Sequence, residues 1–215
     1  MTGGGLGAEC ASSCCVEGGR CALIALATGC STGVAGQPSA SSGSSGSTAS
    51  SGSEKPRLSP PLEQPVLDLK PFETKPCELL KPEQVASLTR AEPPESKDGI
   101  LGPECAWPAV DPVRDTRISL TLNVKTGEGL EGTYRRRSNF GQFKEFRVAG
   151  YPGVHANESE KAEGMGNCGS RIGVSDSTAL LIIVQARKGN PDYSTSCRLN
   201  EKIAEMMIQN LKAAK

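Results

Sequence analysis

The sequence predicts an α+β domain, with one mainly antiparallel sheet, an N-terminal and a C-terminal helix packed on one face of it, and two disulfides. Three observations predict this fold. Segments with strand-like apolar patterns occupy the middle of the chain, and helix-like patterns lie before and after them. Four cysteines are spread across the same region. Strands bracketed by helices, with antiparallel hairpins between them, are typical of α+β domains.

The N-terminal helix is predicted to begin at Pro82, because proline is favoured in the first turn of a helix. Leu80, Val85 and Leu88 then share its buried face. A turn-rich segment over residues 102–108 follows and contains Trp107, the only tryptophan. We expect this side chain to pack in the core against a disulfide rather than to serve as a ligand platform.

The strand predictions rest on alternation and on apolar runs. Residues 117–125 place Ile118, Leu120, Leu122 and Val124 on one side, as in a half-buried strand. Residues 171–175 and 178–186 flank Asp176-Ser177 and predict a hairpin. The continuous apolar run 180–184 predicts a central strand covered on both faces.

Two further elements are predicted between and after these strands. Residues 130–143 predict a short helix, followed by a strand around Phe146 that breaks at 150–153 and resumes at Val154. Apolar residues recur at helical spacing near the C-terminus and predict a final helix. These are Leu199, Ile203, Met206, Met207 and Leu211.

The segment 21–31 is similar to a bacterial lipoprotein signal. Its apolar run is shorter than the roughly 20 residues that span a bilayer, and it fits the 7–15-residue core of a secretory signal. Ala27, Thr28 and Gly29 are small and precede Cys30, which would carry the lipid. The sequence therefore predicts a signal peptide over 1–29 and a lipidated cysteine at position 30, although a buried element of a cytosolic domain is the alternative.

The residues around this segment support a boundary there. Residues 31–53 are almost entirely Ser, Gly, Ala and Thr, so they bury too little apolar surface to offset the entropy of ordering. We therefore predict a flexible tether over 30–62 and one globular domain over 63–215. Upstream of Arg20 the chain is rich in Gly and Cys, which favours initiation nearer Val16 over a metal site formed by Cys10, Cys14, Cys15 and Cys21.

Composition argues against nucleic acid as a partner. The full chain has 24 basic and 24 acidic residues. Removing 1–29 takes away Arg20, Glu9 and Glu17, and leaves 23 basic against 22 acidic residues, a net charge of about +1. We expect the membrane to be a partner through the lipid anchor, on the extracytoplasmic face of the cell membrane.

Four cysteines remain when the leader and Cys30 are set aside: Cys77, Cys105, Cys168 and Cys197. In an oxidising compartment they predict two disulfides, with three possible connectivities. We prefer Cys77–Cys105 with Cys168–Cys197, because each would tie a helix to an adjacent segment. Four reduced, buried thiols are the alternative, and the spacings predict no metal site.

Candidate catalytic and cofactor motifs are weak. Two Gly-x-Gly-x-x-Gly matches occur, at 127–132 and 164–169. The first follows an alternating strand rather than the all-apolar strand of a dinucleotide fold, and such matches arise easily in a chain with 25 glycines, so we predict no cofactor. His155 is the only histidine, which leaves little room for a Ser–His–acid triad, and we expect it to be a surface or half-buried residue rather than a catalyst. The run Arg135 to Arg137 cannot share one helix face, and we expect it to be solvated rather than to bind phosphate.

Several residues together resemble an actinobacterial lipoprotein family, the domain of unknown function 3558. They are Lys75-Pro76-Cys77-Glu78-Leu79-Leu80-Lys81-Pro82-Glu83-Gln84-Val85, Cys105-Ala106-Trp107, Val148-Ala149-Gly150-Tyr151-Pro152-Gly153-Val154, Cys168 and Cys197. The resemblance implies an envelope lipoprotein with two disulfides, similar in outline to the extracellular sensor domains of mycobacterial receptor kinases. It implies no activity.

The leading hypothesis is therefore a non-enzymatic, membrane-anchored lipoprotein that binds or senses an unidentified ligand or envelope partner. A carrier of apolar envelope lipids is one alternative, and a large apolar cavity between sheet and helices would indicate it. An envelope hydrolase or transferase is another. It would use scattered carboxylates such as Asp111, Asp115 and Glu145, and a pocket that holds two of them with raised pKa values would favour it.

Overall fold

The computed structural model describes residues 56–214. The helices are α1 (Lys70–Glu73), α2 (Pro82–Leu88), α3 (Glu131–Arg135) and α4 (Ser196–Ala213), with 3₁₀ turns at Pro76–Leu79, Arg137–Asn139 and Glu163–Met165. The strands are β1 (Glu95–Asp98), β2 (Pro103–Trp107), β3 (Arg117–Asn123), β4 (Gln142–Val148), β5 (Tyr151–Asn157), β6 (Asn167–Gly173) and β7 (Ala179–Gln185). No helix within this part of the chain is both long and apolar enough to span a bilayer.

All seven strands form one antiparallel sheet in the order β1-β2-β3-β7-β6-β5-β4. The predicted α+β class and the antiparallel sheet are confirmed. The predicted hairpin is β6–β7, with Gly173 paired to Ala179 next to the turn. The β3–β7 pairing joins the two halves of the sheet through a full seven-residue register.

Helix α4 covers one face of the central strands. Its buried apolar residues include Ile203, Met207 and Leu211, as the helical spacing predicts. They join Leu120 of β3 and Ile182 of β7 in the main hydrophobic core. The N-terminal helix is also confirmed, because α2 begins at Pro82 and buries Val85.

The opposite face is covered only at its β4–β6 end. There α3 and the chain after it form a second apolar cluster, in which Leu130 and Tyr134 pack on Val154 and Ala156. The expectation that helices lie on one face only is therefore wrong. The short helix predicted within 130–143 is confirmed as α3, which is followed by a 3₁₀ turn.

The prediction that β7 is covered on both faces is also wrong. Leu180, Ile182 and Val184 are fully buried under α4, whereas Ile183 is 37% exposed. Burial alternates along β7 because α4 covers one face of the strand, whereas on the other face α3 lies over β5 and β6 and no described element lies over Ile183. An apolar run therefore overstates burial when only part of a face is covered.

The β4–β5 hairpin turns earlier than predicted. Ala149 (φ 50°) and Gly150 (φ 87°) both adopt positive φ, which reverses the chain in two residues as a type I′ turn does. Tyr151 consequently pairs with Val148, and of the break predicted at 150–153, residues 151–153 lie inside β5.

The chain contacts the domain before the predicted boundary at residue 63. Arg57 forms an ion pair with Asp176 at 2.7 Å, and the Leu58 and Ser59 amides donate to the Glu131 carboxylate. The Leu67 amide then donates to the Val174 carbonyl at 3.0 Å. This segment enters at the β6–β7 turn and runs beside the sheet.

Candidate ligand-binding site

The four cysteines of the domain form two disulfides. Cys77, in the first 3₁₀ turn, is bonded to Cys105 of β2, and Cys168 of β6 is bonded to Cys197 in the first turn of α4. This is the connectivity preferred among the three possible ones. The predicted lipidation residue Cys30, with the predicted signal peptide, lies outside the described residues.

His155 is buried, with 1% of its surface exposed, so the expectation of a surface or half-buried position is wrong. Its ring stacks on Phe146 with centroids 4.2 Å apart, and its Nδ1 and Nε2 lie 2.7 Å from Ser170 Oγ and 2.8 Å from a Glu201 carboxylate oxygen. An ionised carboxylate only accepts, so Nε2–H donates to Glu201 and Nδ1 accepts from the Ser170 hydroxyl.

The order of these groups is that of a Ser–His–acid triad, but the serine is inaccessible. Ser170 is fully buried between the sheet and α4, beside the Cys168 sulfur. A nucleophile has to reach its substrate, so we assign this cluster to the core. Burial lowers the pKa of His155, and the nearby Glu201 carboxylate offsets this only in part.

An apolar groove of about 840 Å³ lies on the N-terminal side of the domain. We call it the Trp107 groove, after the buried indole at its base, and Trp107 is 3% exposed. One wall is α2, and the other is the extended segment over 89–94. The apolar residues that line it include Leu80, Pro82, Val85, Ala86, Pro94 and Trp107.

Covalent and polar contacts set the shape of the groove. Cys77 lines the groove, and its disulfide to Cys105 joins the turn before α2 to β2. On the other side of α2, the Asn210 amide of α4 donates to the Leu79 carbonyl at 2.8 Å and to Gln84 Oε1 at 2.7 Å. Both flanks of α2 are thus tied to the rest of the domain.

An ion pair holds the start of the second wall, the extended segment over 89–94. Arg90 Nε and Nη2 each lie 3.0 Å from one oxygen of Asp115, and Ala91 forms a bridge with Ala109. Burial alone raises the pKa of Asp115, but hydrogen bonds from Arg90 and the Asp111 amide outweigh it, so the pKa lies below its usual value. Asp115 is consequently held as a carboxylate.

Of the candidate catalytic carboxylates, Glu145 lies far from the other two. Asp111 and Asp115 share the loop before β3, whereas Glu145 lies on the edge strand β4. Four strand spacings of about 4.8 Å, or roughly 19 Å, separate β3 from β4. The pKa of Asp115 is lowered rather than raised. The arrangement that would have favoured a hydrolase is therefore not formed by these residues.

The remaining sequence candidates have separate structural roles. Arg135 pairs with Glu131 at 3.0 Å, Arg136 pairs with Glu128 at 2.9 Å, and the Arg137 guanidinium lies 4.7 Å from the Phe143 ring centroid. The first glycine motif covers the end of the loop between β3 and α3 and the first two residues of α3. In the second motif, Gly166 adopts φ 73°, and a Cβ there would collide with the Ala186 carbonyl oxygen.

The sequence did not predict the Trp107 groove, because the groove is formed by three segments that are separated along the chain. The signal that was present is the pair Pro93-Pro94, since two prolines favour an extended chain that can form a wall without joining a helix. Trp107 itself was expected in the core beside a disulfide, and it is buried there next to Cys77–Cys105.

Comparison with known proteins identifies a family but no activity. A family model described as "Protein of unknown function (DUF3558)" matches residues 25–210. No curated protein matches the chain, and no solved structure matches it.

Proposed function

The chain belongs to the DUF3558 family of proteins of unknown function, and we propose that it is an extracytoplasmic, lipid-anchored binding protein without enzymatic activity. Its ligand is an apolar molecule, such as the acyl chain of an envelope lipid, bound in the Trp107 groove. The observation that supports this is the groove itself, which is lined mainly by apolar side chains.

The size and chemistry of the groove suit such a ligand. Small-molecule sites typically enclose 300–1,000 Å³ and are mostly apolar, with a few polar groups that fix orientation. The groove has about 840 Å³, and Lys81, Arg90 and Glu92 supply polar groups along it. The alternative hydrolase has no comparable support, because Glu145 lies far from Asp111 and Asp115 and the pKa of Asp115 is lowered rather than raised.

The segment that ends at Cys30 and is similar to a lipoprotein signal supports the proposed membrane anchoring. Two acyl chains are enough for stable membrane attachment, and one is not. Labelled palmitate should be incorporated into the wild-type chain and not into Cys30→Ser. Incorporation that persists in Cys30→Ser would contradict lipidation at this residue.

The ligand proposal is tested by titrating the full chain with a long-chain fatty acid. Trp107 is the only tryptophan, so its fluorescence reports directly on the groove. We expect saturable change in the wild type and at least tenfold weaker binding in Ala86→Phe, because the added ring fills the groove.

Ser87→Phe is the matched control. It adds the same ring to the next residue of α2, which is exposed and does not line the groove. Equal binding by the wild type and Ala86→Phe would refute the groove as the site. Equal weakening by both variants would also count against it, because the loss would then come from α2 as a whole.

A further inference from the structure

A second cavity, of about 490 Å³, lies at the end of the sheet where β6 begins and β7 ends. We call it the basic pocket. Three cationic side chains line it, Arg117, Arg187 and Lys188, together with the neutral hydrogen-bonding side chains of Asn167, Gln185 and Tyr193. It contains no residue of the Trp107 groove, so the inference below does not rest on the proposed function.

Strand register assembles one side of the basic pocket. Arg117 of β3 pairs with Gln185 of β7, and Gln185 pairs with Asn167 of β6. Directly paired residues share a face, so the three side chains form a row across adjacent strands. This is the face that α4 does not cover. Arg187 and Lys188 lie just after β7, separated from it by Ala186, and add two charges to the pocket lining.

The three cations of the basic pocket form no ion pair with another described residue. Within residues 56–214, no carboxylate oxygen lies within 4.0 Å of their charged nitrogen atoms. Asp115 also lines the pocket, but both of its oxygens are engaged by Arg90. The charge facing the cavity is therefore positive and uncompensated.

We propose that the basic pocket binds a phosphate group. Phosphate oxygens accept several charge-assisted hydrogen bonds, and guanidinium groups bind them in the bidentate mode. Arg117 and Arg187 approach from two different segments, and Lys188 adds a point charge. Met165, 54% exposed, lines the same cavity and offers an apolar contact for the organic part of a phosphate ester.

The first experiment titrates the full chain with glycerol 3-phosphate by calorimetry and by amide NMR. We expect saturable binding that weakens as salt is added, with shifts of the Asn167 and Gln185 side-chain amide signals. The double variant Arg187→Gln/Lys188→Gln should bind at least about tenfold more weakly, since each lost charge removes a charge-assisted hydrogen bond.

The matched control is Lys70→Gln/Lys202→Gln, which removes the same charge from exposed residues outside the pocket. It should bind as the wild type does. Thermal unfolding of all three proteins shows that each is folded, and the altered side chains are exposed. Absence of saturable binding in the wild type would overturn the proposal, as would equal weakening in the control.

Phosphate can reach the pocket on a soluble ester or on a lipid headgroup, and vesicles distinguish these sources. The comparison uses Cys30→Ser chains and vesicles of phosphatidylglycerol or of phosphatidylcholine. If the chain prefers phosphatidylglycerol vesicles and the Arg187→Gln/Lys188→Gln change abolishes this preference, the phosphate comes from a lipid headgroup. If the chain binds both kinds of vesicle equally and still binds glycerol 3-phosphate, the phosphate comes from a soluble ester.

Discussion

The two disulfides close loops of nearly equal length, with sequence separations of 28 and 29, but they lie in differently packed regions. Cys168 and Cys197 are 0% and 4% exposed, and they lie between the central strands and α4. Cys77 is only partly buried and lines the Trp107 groove. The chain-entropy contribution is therefore nearly the same for both, and packing has to account for any difference in their effects.

The central region is consistent with a structural role, and the groove region with binding. Around Cys168–Cys197, buried polar groups such as His155, Ser170 and Asn200 all have at least one hydrogen bond from the surrounding core. Around Cys77–Cys105, a single short helix and an extended segment leave apolar surface facing a cavity. A ligand site needs such incompletely packed walls, and a covalent bond can hold them in place.

The largest effect is expected from Cys168→Ala with Cys197→Ala. A loop of about 30 residues contributes roughly 3–4 kcal/mol in the chain-entropy model, and removing two buried sulfurs also leaves a cavity. The free energy of unfolding, measured by urea titration, should fall by at least that amount. A smaller loss than in the Cys77/Cys105 pair would break the distinction between the two regions.

The Cys77→Ala/Cys105→Ala variant should lose roughly 3–4 kcal/mol from the loop alone and less in total than the other pair, because Cys105 is buried but Cys77 is only partly buried. Its effect should also be local. Hydrogen exchange should accelerate at α2 amides such as Val85 and Thr89, while amides of the β6–β7 ladder stay protected. Fatty-acid binding should weaken in parallel. Uniform acceleration across the sheet would show that both regions unfold as one unit.

Two asparagines of α4 offer a matched comparison. The Asn200 amide donates to the Cys168 and Ile182 carbonyls at 2.9 and 3.0 Å, and it is fully buried. Asn210 is only partly buried and donates to Leu79 and Gln84 beside the groove. Asn200→Ala should therefore cost about 2–3 kcal/mol, because two buried carbonyls lose their partner, and Asn210→Ala about 1 kcal/mol.

Urea titration of both asparagine variants checks this order. If both variants lose the same free energy of unfolding, burial of the acceptors of these hydrogen bonds does not distinguish the central region from the groove region. Fatty-acid binding provides the second readout, since only Asn210→Ala should weaken it. A binding defect in Asn200→Ala would indicate that the central core transmits strain to the groove.

Sequence patterns anticipated the elements whose signals are local. Helical spacing predicted α4, alternation predicted β3, and chain proximity favoured the observed pairing of Cys77 with Cys105. The unpredicted features depend on distant partners. His155 is buried because Ser170 and Glu201, 15 and 46 positions away, satisfy both ring nitrogens.

The open part of the sheet was missed for the same reason. Whether Ile183 is covered depends on where α3 docks, and its own strand carries no signal of this. Likewise, Arg117 and Arg187 meet in the basic pocket only because β3 pairs with β7 in one particular register. Register follows from the packed core, so a single strand's sequence does not determine it.

The smallest expected effect is the pH dependence that His155 gives to the central region. Burial lowers its pKa in the folded chain, with the positive charge of Lys144 adding to this and the Glu201 and Glu163 carboxylates opposing it. The unfolded chain therefore binds a proton more readily than the folded one. Stability is fully present above the unfolded pKa of about 6.5 and decreases as the pH falls below it.

Because His155 is the only histidine, no other side chain has its ordinary pKa between pH 5 and 7, and thermal unfolding across this window isolates it. The melting temperature of the wild type should fall as the pH decreases from 7 to 5. His155→Phe should melt lower at pH 7, since Ser170 and Glu201 lose their partner, but its melting temperature should change little over the same window. The contrary outcome is a wild type that becomes more stable on acidification. The Glu201 carboxylate would then affect the pKa of His155 more than burial does. In that case the histidine would stabilise the central region as a cation rather than as a neutral core residue.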